Sequence, residues 1–97
     1  MITTKQRAYL RSLANSVPAI LQIGKEGITD ALIKNIDEAL EAREIVKVSV
    51  LETAPLSSKE AIEEVMNGID RCEAVQVIGR KFVVYKRNLK EPKIILP

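Results

Sequence analysis

The sequence predicts an α/β fold: an α+β two-layer domain, in the order αβαβαββ, with helices packed on a four-stranded mixed sheet. Three observations predict it. Two short apolar runs, 19–23 and 45–51, flank a capped helical pattern, which argues for parallel strands joined by a right-handed crossover. A Gly79-Arg80 link joins two further strand-like runs into a hairpin. The remaining helical patterns, near the start of the chain and after residue 57, each carry one apolar stripe that a sheet can cover.

Taken in order, Thr3 or Thr4 caps a first helix running to about Ser16, with Leu10, Leu13, Ala14 and Val17 on one side and Arg7 and Arg11 sharing another. Asn15, Ser16 and Pro18 stop it, because a residue before proline is pushed out of the α region. Ala19 to Ile23 is too short for a helix and suits a strand, ended by Gly24. Thr29 caps a second helix, Asp30 meets its positive end, and Ile28 with Ile33 fits a hydrophobic staple. Leu32, Ile33, Ile36, Ala39 and Leu40 form its buried stripe, leaving Asp37, Glu38 and Glu41 to face water. In the run 45–51, Val46, Val48 and Val50 point inward, opposite Lys47 and Ser49. Ser57 to Glu60 has capping-box spacing and opens a third helix whose Ala61, Ile62, Val65, Met66 and Ile69 cover the sheet. In the hairpin, a type II′ turn with Val77 facing Phe82 and Val75 facing Val84 makes one apolar side. The chain is read as one domain over 1–97, with a core of 3–88 and a tail of 89–97 whose Ile94, Ile95 and Leu96 find no regular element.

Composition narrows the function. Apolar residues are 46% and charged residues 29% of 97, the profile of a folded domain, and no run approaches the roughly 20 apolar residues of a membrane span. With no signal-like N-terminus, a cytoplasmic location is expected. The chain has no His and one Cys, so imidazole-dependent nucleophilic mechanisms, a Cys/His zinc site and an internal disulfide are excluded. Net charge is only +2, but it is unevenly spread: +4 over 1–25, −7 over 26–73 and +5 over 74–97. A fold that brought the two ends together would present a positive face.

One stretch carries chemistry. Gly24-Lys25-Glu26-Gly27 is a G-x-x-G loop between a strand and a helix capped by Thr29. It reads either as an ordinary turn or as a phosphate seat, in which bare backbone amides and the helix N-terminus receive anionic oxygens. RNA-binding KH domains clamp backbone nucleotides with such a loop. Lys25 adds positive charge there, while Glu26 has to point away from phosphates. The loop lacks the longer Gly-rich span of a Walker A motif and the third glycine of a dinucleotide fingerprint. Arg80, Lys81, Lys86 and Arg87 form either a phosphate-contacting strip or a solubilising edge, and Tyr85 is a candidate for stacking on a base. Glu60, Glu63 and Glu64 read as a solvated helix face and Cys72 as a small core residue, so no catalytic, metal or cofactor site is expected.

Three separated blocks share a further property. Val17-Pro18-Ala19-Ile20-Leu21-Gln22-Ile23-Gly24-Lys25-Glu26-Gly27-Ile28-Thr29, then Ala42-Arg43-Glu44-Ile45-Val46-Lys47-Val48, then Val77 through Arg87, closely resemble the CRM domain (chloroplast RNA splicing and ribosome maturation), specifically the stand-alone bacterial YhbY family. The resemblance covers residues 3–88 and implies an RNA-binding protein, not an enzyme. It implies association with precursors of the large ribosomal subunit; large-subunit ribosomal RNA or its precursor and ribosomal proteins are the expected partners, and a monomer is expected. It also implies a fold similar to the C-terminal domain of translation initiation factor three, with the fourth strand antiparallel to the others. The family's loop falls on Gly24, Lys25, Glu26 and Gly27, its basic hairpin on Gly79, Arg80 and Lys81, and its basic residue after the second helix on Arg43. Where relatives often carry a His near the end of the first helix, this chain has Asn15. Arg7 and Arg11 extend the expected RNA surface, and the alternative is a protein-interaction module using the acidic helix faces around Glu38 and Glu41.

Overall fold

The computed structural model describes residues 2–97, with elements α1 (Thr4–Ala14), β1 (Ala19–Ile23), α2 (Asp30–Arg43), β2 (Ile45–Val50), α3 (Ser58–Gly68), β3 (Glu73–Ile78) and β4 (Lys81–Tyr85). The αβαβαββ order and the four-stranded mixed sheet are those the sequence predicts. Strands lie side by side as β1-β2-β4-β3, with β1 and β2 parallel and β4 antiparallel to both its neighbours. The C-terminal ends of β1, β2 and β3 and the start of β4 therefore meet at one end of the sheet. Each helix starts where a side chain satisfies a free amide. Thr3 and Gln6 form a capping box on α1, Ser57 and Glu60 another on α3, and Thr29 Oγ1 accepts from the Leu32 N–H on α2. At the other end of α1, which stops at Ala14, Lys47 Nζ donates to the Ala14 carbonyl at 2.7 Å.

Strand alternation divides the core. Val46, Val48 and Val50 of β2 and Phe82 and Val84 of β4 pack with Ile36 and Leu40 of α2 and Ala61, Ile62 and Val65 of α3. The intervening Ile45, Val83 and Tyr85 point the other way and pack with Leu10 and Ala14 of α1. The packing thus has one layer more than the two expected, because part of the second sheet face is also apolar and α1 covers it.

The hairpin keeps the expected Val77–Phe82 pair, and Gly79 alone supplies a positive φ (57°), as a type II′ turn requires. The expected Val75–Val84 pair does not form. The register shifts between Ala74 and Gln76, so Ala74 opposes Val84 and Val75 turns to the α1 side beside Val83. A bulge sets two residues against one and re-aims the side chain that follows it.

Two charged residues have roles the sequence conceals. Lys86 is buried between the carboxylates of Asp37 (2.7 Å) and Glu41 (3.0 Å), so these two acids serve the interior rather than merely facing water. Burial alone would lower the lysine pKa, but the two carboxylate hydrogen bonds outweigh it and raise it. Glu44 is 0% exposed at φ 66°, just after α2. Its carboxylate accepts from the backbone N–H groups of Asn88 (2.8 Å), Lys93 (2.6 Å) and Ile94 (2.7 Å), and its own carbonyl accepts from the Lys86 N–H (2.9 Å). The tail has no helix or strand, yet it is seated: Ile94 and Leu96 pack against the α1 cluster.

Removing that acceptor strands buried amides. Glu44→Ala is expected to cost about 3 kcal/mol in urea unfolding and to abolish hydrogen-exchange protection at Lys93 and Ile94. Full protection of both amides in the variant contradicts the assignment. The raised Lys86 pKa has a pH signature as well. Its contribution is complete below the ordinary lysine pKa of about 10.4 and is lost as pH rises through the higher folded value, so Lys86→Met should flatten the alkaline decline of stability.

Candidate nucleic-acid interface

The G-x-x-G loop leaves the sheet at a firmly held point. Ile23 is fully buried, and its carbonyl accepts from the Leu51 N–H at 2.9 Å. The Gly27 N–H then donates to the Gly24 carbonyl at 2.9 Å, closing a tight turn with Lys25 and Glu26 exposed at its tip. Gly27 has φ +69°, the left-handed region, and Ile28 packs into the same core as Ile33, consistent with the expected staple. Beyond the Thr29 cap, the first amides of α2 have no intrahelical acceptor. Gly24, Lys25, Gly27, Thr29 and Ala31 line a concave patch of about 390 Å³ there. Glu26 lines it too.

Other candidates share that end of the sheet. The Val50 N–H donates to the Arg80 carbonyl, 2.6 Å away, and Ser58 Oγ to the Gly79 carbonyl at 2.9 Å, so the hairpin turn and the start of α3 sit beside the end of β2. Lys25, Arg80 and Lys81 thereby lie at the same end of the sheet as the N-termini of α2 and α3, whose dipoles favour anions. Arg80 makes only a 4.0 Å ion pair with Glu52, and both side chains are open to water, so the pair is worth little.

The other cations are dispersed. Arg43 lies in the last turn of α2, about 20 Å of helix from the loop. Arg7 Nε donates to the Ala74 carbonyl at 3.0 Å and ties α1 to the remote end of β3, whereas Arg11, one turn further on, is exposed. Lys86 is withdrawn from the basic strip by its two carboxylates. Tyr85 is 2% exposed with its hydroxyl buried and unpaired, so it cannot stack on a base. Charge nevertheless segregates by layer: α1 carries three bases and no acid, whereas α2 and α3 together carry seven acids and three bases.

Among the described residues, no cluster of His, Cys, Asp or Glu could hold a metal ion, and no helix is long and apolar enough to cross a membrane. Cys72 packs against the core, where burial, aided by Glu73, pushes its thiol up to about 12.

Known proteins resemble this arrangement over its whole length. The CRS1 / YhbY (CRM) domain family matches residues 2–86. The protein named probable RNA-binding protein YqeI of Bacillus subtilis is 43% identical over 97 residues, all of both chains. An RNA-binding protein of Haemophilus influenzae is 31% identical over 96 residues, covering 99% of this chain and 95% of that one. The solution structure of hypothetical protein SAV1595 from Staphylococcus aureus, a candidate RNA-binding protein, superposes with a TM-score of 0.82 at 45% identity, over 100% of both chains.

The two loop glycines differ in what a side chain would meet. At Gly27 a Cβ would lie 3.2 Å from Pro55 Cγ in a backbone region unfavourable to L-residues, whereas at Gly24 the nearest atom is 3.9 Å away. Gly27→Ala is therefore expected to cost about 1–2 kcal/mol in thermal or urea unfolding, and Gly24→Ala little by comparison. Equal losses would contradict the loop geometry. The Cys72 thiol should react with iodoacetamide at pH 8 at least roughly tenfold more slowly than a free cysteine, because almost none of it is thiolate there.

Proposed function

The chain belongs to the CRS1 / YhbY (CRM) domain family, and from that premise we infer that it is an RNA-binding protein whose Gly24–Gly27 loop seats backbone phosphates at the N-terminus of α2. The observation that carries this reading is the exposed, rigidly held turn with Lys25 at its tip and free helix amides behind it. Names of the relatives point the same way. Phosphate oxygens approach Gly24 closely because no Cβ intervenes, Thr29 holds the first turn of α2 in shape, and Lys25, Arg80 and Lys81 supply charge. Arg11 extends the contact along α1. Arg7 and Arg43 meet only an RNA large enough to reach past the loop.

The RNA is ribosomal, from the large subunit or its precursor, and the protein acts as a cytoplasmic monomer during subunit assembly, with ribosomal proteins as neighbours. The chain binds and positions; it performs no covalent chemistry. The alternative, a protein interface on the acidic helices, has less surface to use, because Asp37 and Glu41 are engaged by Lys86 and Glu44 is buried.

Lys25→Ala should weaken RNA binding in a filter or anisotropy assay and lower the slope of log affinity against log salt by about one, while leaving the melting temperature unchanged. Gly24→Ala should weaken binding with little loss of stability, since among the described residues a Cβ there would come within 4 Å only of Leu51, in ordinary contact at 3.9 Å. Undiminished affinity in both variants overturns the loop as the phosphate seat.

A further inference from the structure

The sheet face that carries α1 is only partly covered. Ile45, Val75, Val83 and Tyr85 lie beneath α1 and are buried. Nearer the G-x-x-G loop the same face is open, and one row of side chains crosses it in register. Gln22 of β1 pairs with Ser49 of β2, Ser49 with Lys81 of β4, and Lys81 with Ile78 of β3. Directly paired residues project to the same side. Their neighbours Ile23, Val48, Val50 and Phe82 fill the α2/α3 core, so this row points to the α1 side. It spans about 14 Å, three strand spacings. Gln22, Lys81 and Ile78 are exposed, Ile78 to 56%, and Ser49 is half-buried.

Chemistry distinguishes this row from an ordinary solvated edge. The amide of Gln22, the hydroxyl of Ser49 and the ammonium of Lys81 have no hydrogen-bond or ion-pair partner among the described residues, and Ile78 offers an aliphatic surface beside them. No acid lies in the row, and α1, which borders it, has none either and presents Arg11 to solvent. Its β1 end is Gln22, two residues before Gly24, and Gln22 also lines the concave patch at the loop.

The geometry points to this row as a contact surface for the unpaired bases of a single-stranded RNA whose phosphates are held at the Gly24–Gly27 loop. The assignment rests on the loop being the phosphate seat. Bases present donors, acceptors and an apolar face together, which matches free amide, hydroxyl and ammonium groups beside an aliphatic side chain. A duplex keeps its bases stacked and paired, so it can place phosphates at the loop without laying base faces on the strands.

The test compares the wild-type chain, the double variant Ser49→Ala/Ile78→Ser and Lys25→Ala. Each is titrated by fluorescence anisotropy into a short labelled single-stranded RNA of mixed sequence and into a blunt RNA duplex of equal length, across a salt series. Neither residue of the double variant is in the core, so thermal unfolding should match wild type. The expected result is roughly tenfold weaker binding of the single strand by the double variant, with an unchanged salt slope and unchanged duplex binding. Lys25→Ala should instead lower the slope on both RNAs. If the double variant binds the single strand as wild type while Lys25→Ala is weakened, the row is not a base contact and the phosphate seat survives. If neither variant is weakened, both assignments fail. A wild-type dimer in sedimentation that the double variant dissolves makes the row an interface between copies, which also overturns the proposal.

Discussion

Period-two alternation in β2 and β4 is the constraint from which the rest of this molecule follows. Once Val46, Val48, Val50, Phe82 and Val84 commit to one face, Ile45, Lys47, Ser49, Lys81, Val83 and Tyr85 must take the other. The first set recruits α2 and α3. The second is apolar at one end and polar at the other, so α1 covers only the apolar part. Acids accumulate on the helices of the α2/α3 face and bases on α1, so the division of the core also divides the charge. Parallel pairing of β1 with β2 then delivers the G-x-x-G loop to the end of the sheet where the hairpin turn and the start of α3 arrive.

Much of the fold is legible in the sequence because it is written in local terms. Thr3, Thr29 and Ser57 announce helix starts by the side-chain acceptors they offer, and each is observed in that role. Gly79 announces the hairpin because few other residues tolerate its φ. What escapes is non-local. Asp37, Glu41, Glu44 and Lys86 carry the letters of a solvated surface, and nothing near them in sequence says that positions 45 and 49 residues apart will meet. The bulge at Val75 escapes for a related reason: it answers to α1, far earlier in the chain. The positive patch is likewise only half legible. Net charge by segment places cations at both ends of the chain, but topology brings Lys25, Arg80 and Lys81 together and sends Arg7 and Arg43 elsewhere.

The loop itself shows how one motif can contain two physical requirements. Gly27 is demanded by the chain's own backbone angle and by Pro55, whereas Gly24 sits in ordinary space with an ordinary angle. A glycine that the fold does not require is the more telling of the two. Its bare backbone leaves the surface open at position 24, the condition that the proposed phosphate seat needs.

Glu44 has a consequence for where the folding unit stops. The family match closes at residue 86, at the end of the last strand, but the three amides that hydrogen-bond this buried carboxylate come from the eleven residues beyond it. A version of the chain trimmed to its sheet and helices would therefore keep every regular element and still carry an unsolvated negative charge beneath them. Domain match and physics draw different borders for the same object: the CRM match ends with the last hydrogen-bonded ladder, electrostatics only once the irregular ending has closed over the carboxylate.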